Sequence, residues 1–176
     1  MNLPNLITLA RIALAPVFIW VLLLYPQPSA HERWIAVALF VLASATDGVD
    51  GALARKRNQV TDLGKLLDPI ADKVLIGGAL IVLSTMGQIQ WWITVTILVR
   101  EVGITVYRLA VIRDRVIAAS GGGKLKTVLQ SVAVGFYLSP LAGYWAPIGW
   151  FQQSILIAAL LATVYSGIQY LMAARK

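Results

Sequence analysis

Five of the chain's six aspartates crowd into one stretch, DGVDGALARKRNQVTDLGKLLDPIAD, spanning positions 47 to 72. Four of them have helical spacing: Asp47 and Asp50 are three apart, Asp68 and Asp72 four apart. At ~100° per residue, each pair falls on one face of its helix, separated by about 60° and about 40°. Four carboxylates brought together in a low dielectric repel one another and tend to take up protons. Two divalent cations remove that conflict, and hard cations such as Mg²⁺ bind a few carboxylates together with substrate phosphates. Carboxylate-held metal pairs about 3.5–4 Å apart are a recurrent clamp for in-line phosphoryl displacement. The glycines support this chemistry. Gly48, Gly51 and Gly64 each cost about 1 kcal/mol against Ala in a helix, but they let a ligand approach the backbone. Arg55 and Thr61 are spaced to meet phosphate or a polar headgroup at the mouth.

The plainer reading pairs these aspartates with Arg55, Arg57, Lys65 or Lys73. It suits Asp62, which falls in the intervening basic segment and is left out of the site. It suits the other four poorly, because ionisable groups at membrane depth are usually functional.

Composition makes membrane depth the expectation. The chain has 176 residues, is 59% hydrophobic and only 13% charged, and its mean hydropathy is +0.76. That leaves too little polar sequence for a soluble shell and implies one compact helical membrane domain over residues 1–176. The net charge of +7 fits positive loops and anionic lipid better than nucleic acid. With no Cys and a single His, disulfides, thiol nucleophiles, Cys-ligated zinc and His-based triads are excluded. Any metal must bind oxygen donors, which favours Mg²⁺ or Mn²⁺. His31 reads as an ordinary loop residue.

The elements that must hold the aspartates are six apolar runs, each near the ~20 residues needed to cross about 30 Å of hydrocarbon. They are expected at 7–25, 34–54, 66–86, 91–112, 125–145 and 150–174. Pro16 is a kink in the first, which reads as an uncleaved span. The second carries Asp47 and Asp50 in its last turns, and the third carries Asp68 and Asp72 in its first turns. Pro69 falls near that start, where proline is tolerated. An eleven-residue basic loop over 55–65 makes these two spans antiparallel neighbours. Gly87–Gln90 is a tight turn, and 113–124 is a loop with three glycines.

The loops orient the bundle. One side has Arg55, Lys56, Arg57, Lys65, Arg113, Arg115, Lys124, Lys126, Arg175 and Lys176; the other has only Arg33. The positive-inside rule then puts both termini and the aspartates at the cytoplasmic face of the cell membrane. The tryptophans, all toward the opposite ends of the spans, suit an interfacial belt.

Asp47-x-x-Asp50-Gly51-x-x-Ala54-Arg55, eight residues, then Gly64-x-x-x-Asp68-x-x-x-Asp72 resembles the complete signature of the CDP-alcohol phosphotransferases. Six spans with the signature across the second and third are also similar to that family. The resemblance implies that a CDP-linked lipid binds two divalent metals through its diphosphate. An alcohol then attacks the lipid-side phosphorus and CMP leaves. By position, Asp47 and Asp68 would bridge both metals and Asp50 would bind one. Asp72 would bind the other or act as general base. Gly51, Arg55 and Thr61 would contact the CDP part. Asn5, Thr8 and Arg11 fit the family's first-span pattern, and a homodimer is implied.

The acceptor is written less densely. The segments NLPNLITLARI, VREVGIT and GGKLKT resemble bacterial phosphatidylglycerophosphate synthases, which implies CDP-diacylglycerol as donor and glycerol 3-phosphate as acceptor. A phosphorylated acceptor needs cations beyond the metal site, and Arg100, Arg108, Lys124 and Lys126 are the candidates. Adjacent helical residues diverge by about 100°, so Arg100 is not expected to pair with Glu101. Within the family, the alternatives are a cardiolipin synthase or an enzyme with an inositol-phosphate acceptor. From another class, a divalent-cation transporter would place its carboxylates nearer mid-membrane with access from both sides.

Overall fold

The computed structural model describes residues 3–56, 62–111 and 122–174. Side chains are described for residue 10 and for 12–45, 70–71, 73–107 and 125–173. The described residues are helical throughout except for short turns. In chain order the elements are α1 (Leu3–Leu24), α2 (Ala30–Lys56), α3 (Asp62–Thr85), α4 (Trp91–Val111), α5 (Gly122–Leu138), the single turn α6 (Leu141–Tyr144) and α7 (Ala146–Ala174).

The connections are shorter than the sequence suggests, and the reasons are local. α2 begins at Ala30, so His31 is helical rather than a loop residue. Ser29 and Glu32 form a capping box: Ser29 N donates to Glu32 Oε2 at 2.6 Å and Glu32 N to Ser29 Oγ at 3.4 Å. The reciprocal bonds satisfy donors that a helix start leaves open. α2 runs on to Lys56 and α3 starts at Asp62, so the basic connection is shorter than the expected eleven residues. Pro69 accordingly lies about two turns into α3 rather than at its start. α5 starts at Gly122, ahead of the expected Leu125, and ends at Leu138 rather than Trp145. Pro140 has no N–H to continue the helix. The freed C-terminal carbonyls of Tyr137 and Ser139 accept from Arg33 Nη1, each at 3.4 Å. α7 begins at Ala146, four residues before Trp150.

The α3–α4 turn is as expected. Gly87 has φ +71, the left-handed conformation that glycine adopts without penalty. Gln88 N donates to Leu83 O at 2.9 Å and Gly87 N to Ser84 O at 3.0 Å, the Schellman pattern that closes a helix C-terminus.

Two groups of helices share one core. α1 packs on both α2 and α3, and α5 packs chiefly on α7, with α4 also against α7. α3 touches α4 and α5 and so joins the groups. Phe18, Leu75, Leu80, Leu83, Ile93, Ile97, Val134 and Leu156 are fully buried at the centre. Close approach of α3 depends on two small residues. A Cβ at Gly77 would come to 3.0 Å from Leu98 Cδ2, and one at Gly78 would overlap the Ile19 side chain. Ser84 Oγ and Thr94 Oγ1, both buried, share a hydrogen bond of 2.7 Å between α3 and α4.

The outside is apolar. Leu42, Val99, Leu125, Leu161 and Tyr165 are among many large hydrophobic side chains left more than half exposed or nearly so. All six tryptophans are exposed, and all lie toward one end of the bundle. A soluble monomer rarely shows so extensive an apolar surface. Among the described residues, Ala146–Ala173 is the one stretch long and apolar enough by itself to cross a membrane; Ile12–Leu24, Lys73–Thr85 and Leu125–Leu138 are shorter apolar segments.

Candidate active site at the shared end of α1, α2 and α3

Short connections make α1 and α2 antiparallel, and likewise α2 and α3. The packing agrees with this register: Phe18 of α1 and Phe40 of α2 have ring centroids 5.8 Å apart, and Gly78 of α3 lies against Ile19. The start of α1, the end of α2 and the start of α3 therefore fall at one end of the packed trio, opposite the tryptophans. Asn5, Thr8 and Arg11 lie on the first of these, Asp47, Asp50, Gly51 and Arg55 on the second, and Asp68 and Asp72 on the third. Their backbones are helical, and their side chains lie outside the described residues, as does Thr61 altogether. Asp47, Asp72 and Arg100 sit at similar depth, roughly three turns in from the helix ends at this face.

The residues suit a hard divalent cation. The donors on the two facing helix ends are all carboxylates, in a chain without Cys and with its single His on α2's far end. Among the residues whose side chains are described, no group of three or more acidic or histidine side chains converges.

Of the acceptor candidates, Arg100 and Lys126 are described, while the side chains of Arg108 and Lys124 are not. Arg100 does pair with its neighbour: Nη1 donates to Glu101 Oε1 at 3.0 Å, with both side chains 14% exposed. The angular objection fails because the guanidinium is long enough to turn back along the helix, while the Glu101 carboxylate faces α5. There the same oxygen accepts from Lys126 Nζ. Arg100 Nη2 donates to Ser166 Oγ of α7 at 2.8 Å, and Arg100 Nε is buried without a hydrogen-bond partner. Gly167 makes room for this arginine, since a Cβ there would lie 3.1 Å from Arg100 Cγ and Nε. The polar seam continues between α5 and α7, where Gln130 Nε2 donates to Thr163 Oγ1 at 2.8 Å. Lys73 of α3, next to Asp72, is close enough for its like charge to act on Lys126.

One feature of the site has no counterpart in the sequence motifs. An open apolar groove of about 600 Å³ lies between α2, α3 and α5, lined by Trp34, Phe40, Val41, Leu75, Val128 and Val132 among others. It extends as far as Ser44 and Ala45, within one turn of Asp47. Its walls come from three separate helices, so no local pattern reveals it.

The start of α1, the end of α2 and the start of α3 thus bring the stretches that carry the sequence-predicted residues to one end of an apolar helical bundle. The chain belongs to the CDP-alcohol phosphatidyltransferase family, whose profile it matches over residues 1–165. Family and apolar surface together make it a membrane-associated protein. It is 48% identical over 169 residues to a probable phosphatidylglycerophosphate synthase of Mycobacterium tuberculosis (strain H37Rv), covering 96% of this chain and 79% of that one. It is 40% identical over 179 residues to the CDP-diacylglycerol–glycerol-3-phosphate 3-phosphatidyltransferase of Bacillus subtilis, covering 96% and 93%. To the protein of that name in Escherichia coli (strain K12) it is 38% identical over 183 residues, covering 99% and 95%.

Proposed function

We propose that the protein transfers the phosphatidyl group of CDP-diacylglycerol to glycerol 3-phosphate, giving phosphatidylglycerophosphate and CMP. The observation that carries this reading is the convergence of the start of α1, the end of α2 and the start of α3 at one end of the bundle. The names of the relatives, over nearly the whole chain, support the choice of acceptor.

In this reading Asp47, Asp50, Asp68 and Asp72 hold two divalent ions, Mg²⁺ or Mn²⁺. When bound, these supply charge neutralisation at the diphosphate and at the departing CMP oxygen. Asn5, Thr8, Gly51, Arg55 and Thr61 grip the CDP part. The apolar groove beside Ser44 and Ala45 takes an acyl chain, so the diphosphate stays at the carboxylates while the tail stays in lipid. Asp72 accepts the proton of the attacking hydroxyl. Arg100, Arg108, Lys124 and Lys126 bind the acceptor's phosphate, with Arg as a fork and Lys as point charges.

The bundle as a whole crosses the membrane six times, with both termini and the site on the cytoplasmic side, and works as a homodimer. Val95, Val99, Val102 and Val106 form an exposed stripe along α4 that suits either lipid or a second copy.

The test is CMP release by purified protein given CDP-diacylglycerol, Mg²⁺ or Mn²⁺ and a panel of acceptors. Glycerol 3-phosphate is expected to support release, and chelation to abolish it. Preference for phosphatidylglycerol or inositol phosphate would reassign the acceptor, and no acceptor-dependent release would overturn the enzyme reading.

A further inference from the structure

Glu101 is an acid with two cations on one oxygen. Arg100 Nη1 and Lys126 Nζ both donate to Oε1, across the contact between α4 and α5, and all three side chains are at most 14% exposed. Two cations this close and this poorly hydrated would separate without a shared anion. The carboxylate therefore does more than neutralise: it sets where each cation stands. Arg100 is also fixed from α7, by Ser166 and by the space at Gly167. It keeps a buried Nε donor without a partner. Lys126 has three donors, of which Glu101 takes one. The trio carries one net positive charge, and Lys73 of α3, the neighbour of Asp72, is near enough for its charge to act on Lys126.

We propose that Glu101 is a positioning residue for the acceptor, holding Arg100 and Lys126 in the register that a phosphomonoester needs. This rests on the reading that the acceptor carries a phosphate. The carboxylate organises the two cations in advance, so their ordering cost is already met when the substrate arrives. The donor lipid, held at the aspartates, does not draw on this trio. The two substrates should therefore respond differently to its loss.

The experiment is steady-state kinetics of CMP release for wild type, Glu101→Gln, Glu101→Asp and Gln130→Leu, each with both substrates varied. Glu101→Gln is expected to raise the KM for glycerol 3-phosphate roughly tenfold, leaving the KM for CDP-diacylglycerol within about twofold. Glu101→Asp keeps the charge but is one methylene shorter, and is expected to raise the same KM by a smaller factor, about threefold. Gln130→Leu removes a neutral bond of the same polar seam and is expected to lower the melting temperature with no split between the two KM values. An unchanged or lowered KM for glycerol 3-phosphate in Glu101→Gln overturns the proposal, as do equal effects on both substrates. If Glu101→Gln does not fold, Glu101→Asp decides: an acceptor-selective rise in KM supports the role, and none refutes it. Failure of the functional reading would look different, since wild type itself would then show no dependence on glycerol 3-phosphate.

Discussion

At the scale of single residues, the proposed reading gives the four aspartates different roles, although the sequence presents them as two similar pairs. Asp72 is the innermost of the pair on α3, about one turn further from the helix end than Asp68, and it is followed by Lys73, which connects electrostatically to Lys126. In the proposed reading it is the general base. Asp72→Asn is expected to cut turnover by a hundredfold or more, in the ~10²–10⁴ range of a lost general base. Binding of CDP-diacylglycerol, followed by equilibrium titration, should be largely retained. Wild-type turnover in that variant would remove the base assignment. The aspartates were readable because helical spacing is a one-dimensional pattern. Glu101 was not, because its partners are the flexible ends of Arg100 and Lys126, and only the packing of α4 on α5 and α7 brings those ends together. Angles at the helix axis describe where a side chain departs, not where a long one arrives.

At the scale of elements, helix type and order were legible in the hydropathy, and the ends were less so. The capping box at Ser29 and Glu32 was present as S-x-x-E and would have started α2 at Ala30. The break after Leu138 was masked by apolar sequence that continues to Trp145, and Pro140 was its only local mark. Contact between helices left still less trace. Gly77 and Gly78 look like ordinary membrane glycines, yet α3 reaches α1 and α4 through them, and α3 must be placed accurately for its aspartates to meet those of α2. Gly78→Leu is expected to overpack the Ile19 contact and destabilise the protein by about 1–3 kcal/mol, with activity falling in parallel. Gly149→Ala on α7 has no atom within 4 Å of the added methyl and should be neutral or stabilising by up to about 1 kcal/mol. Thermal unfolding in detergent of the two variants beside wild type measures the difference. Equal stability in Gly78→Leu would mean that α1 and α3 can separate without penalty, and would weaken the case for one converged site.

At the scale of the whole molecule, the asymmetry between the two ends governs access. The tryptophans lie at one end and the aspartates at the other, and Arg33, the one cation at the tryptophan end among the described residues, is engaged with the α5 terminus. In the proposed reading a charged, water-soluble acceptor reaches the aspartates from their own end, and a lipid donor enters sideways along the groove between α2 and α5. The two substrates thus approach from different phases, which is what a transfer between lipid and water requires. Because the chain has no Cys, single cysteines can report each end separately. His31→Cys, at the exposed start of α2, is expected to react with a membrane-impermeant maleimide on intact cells. Ala173→Cys, exposed near the end of α7, is expected to react only after the membrane is opened, because the positive-inside rule places that end in the cytoplasm. The reverse pattern would put the aspartates outside the cell and overturn the proposed orientation. Labelling of both positions on intact cells would mean that an even number of crossings separates them, and the six-span arrangement would fail.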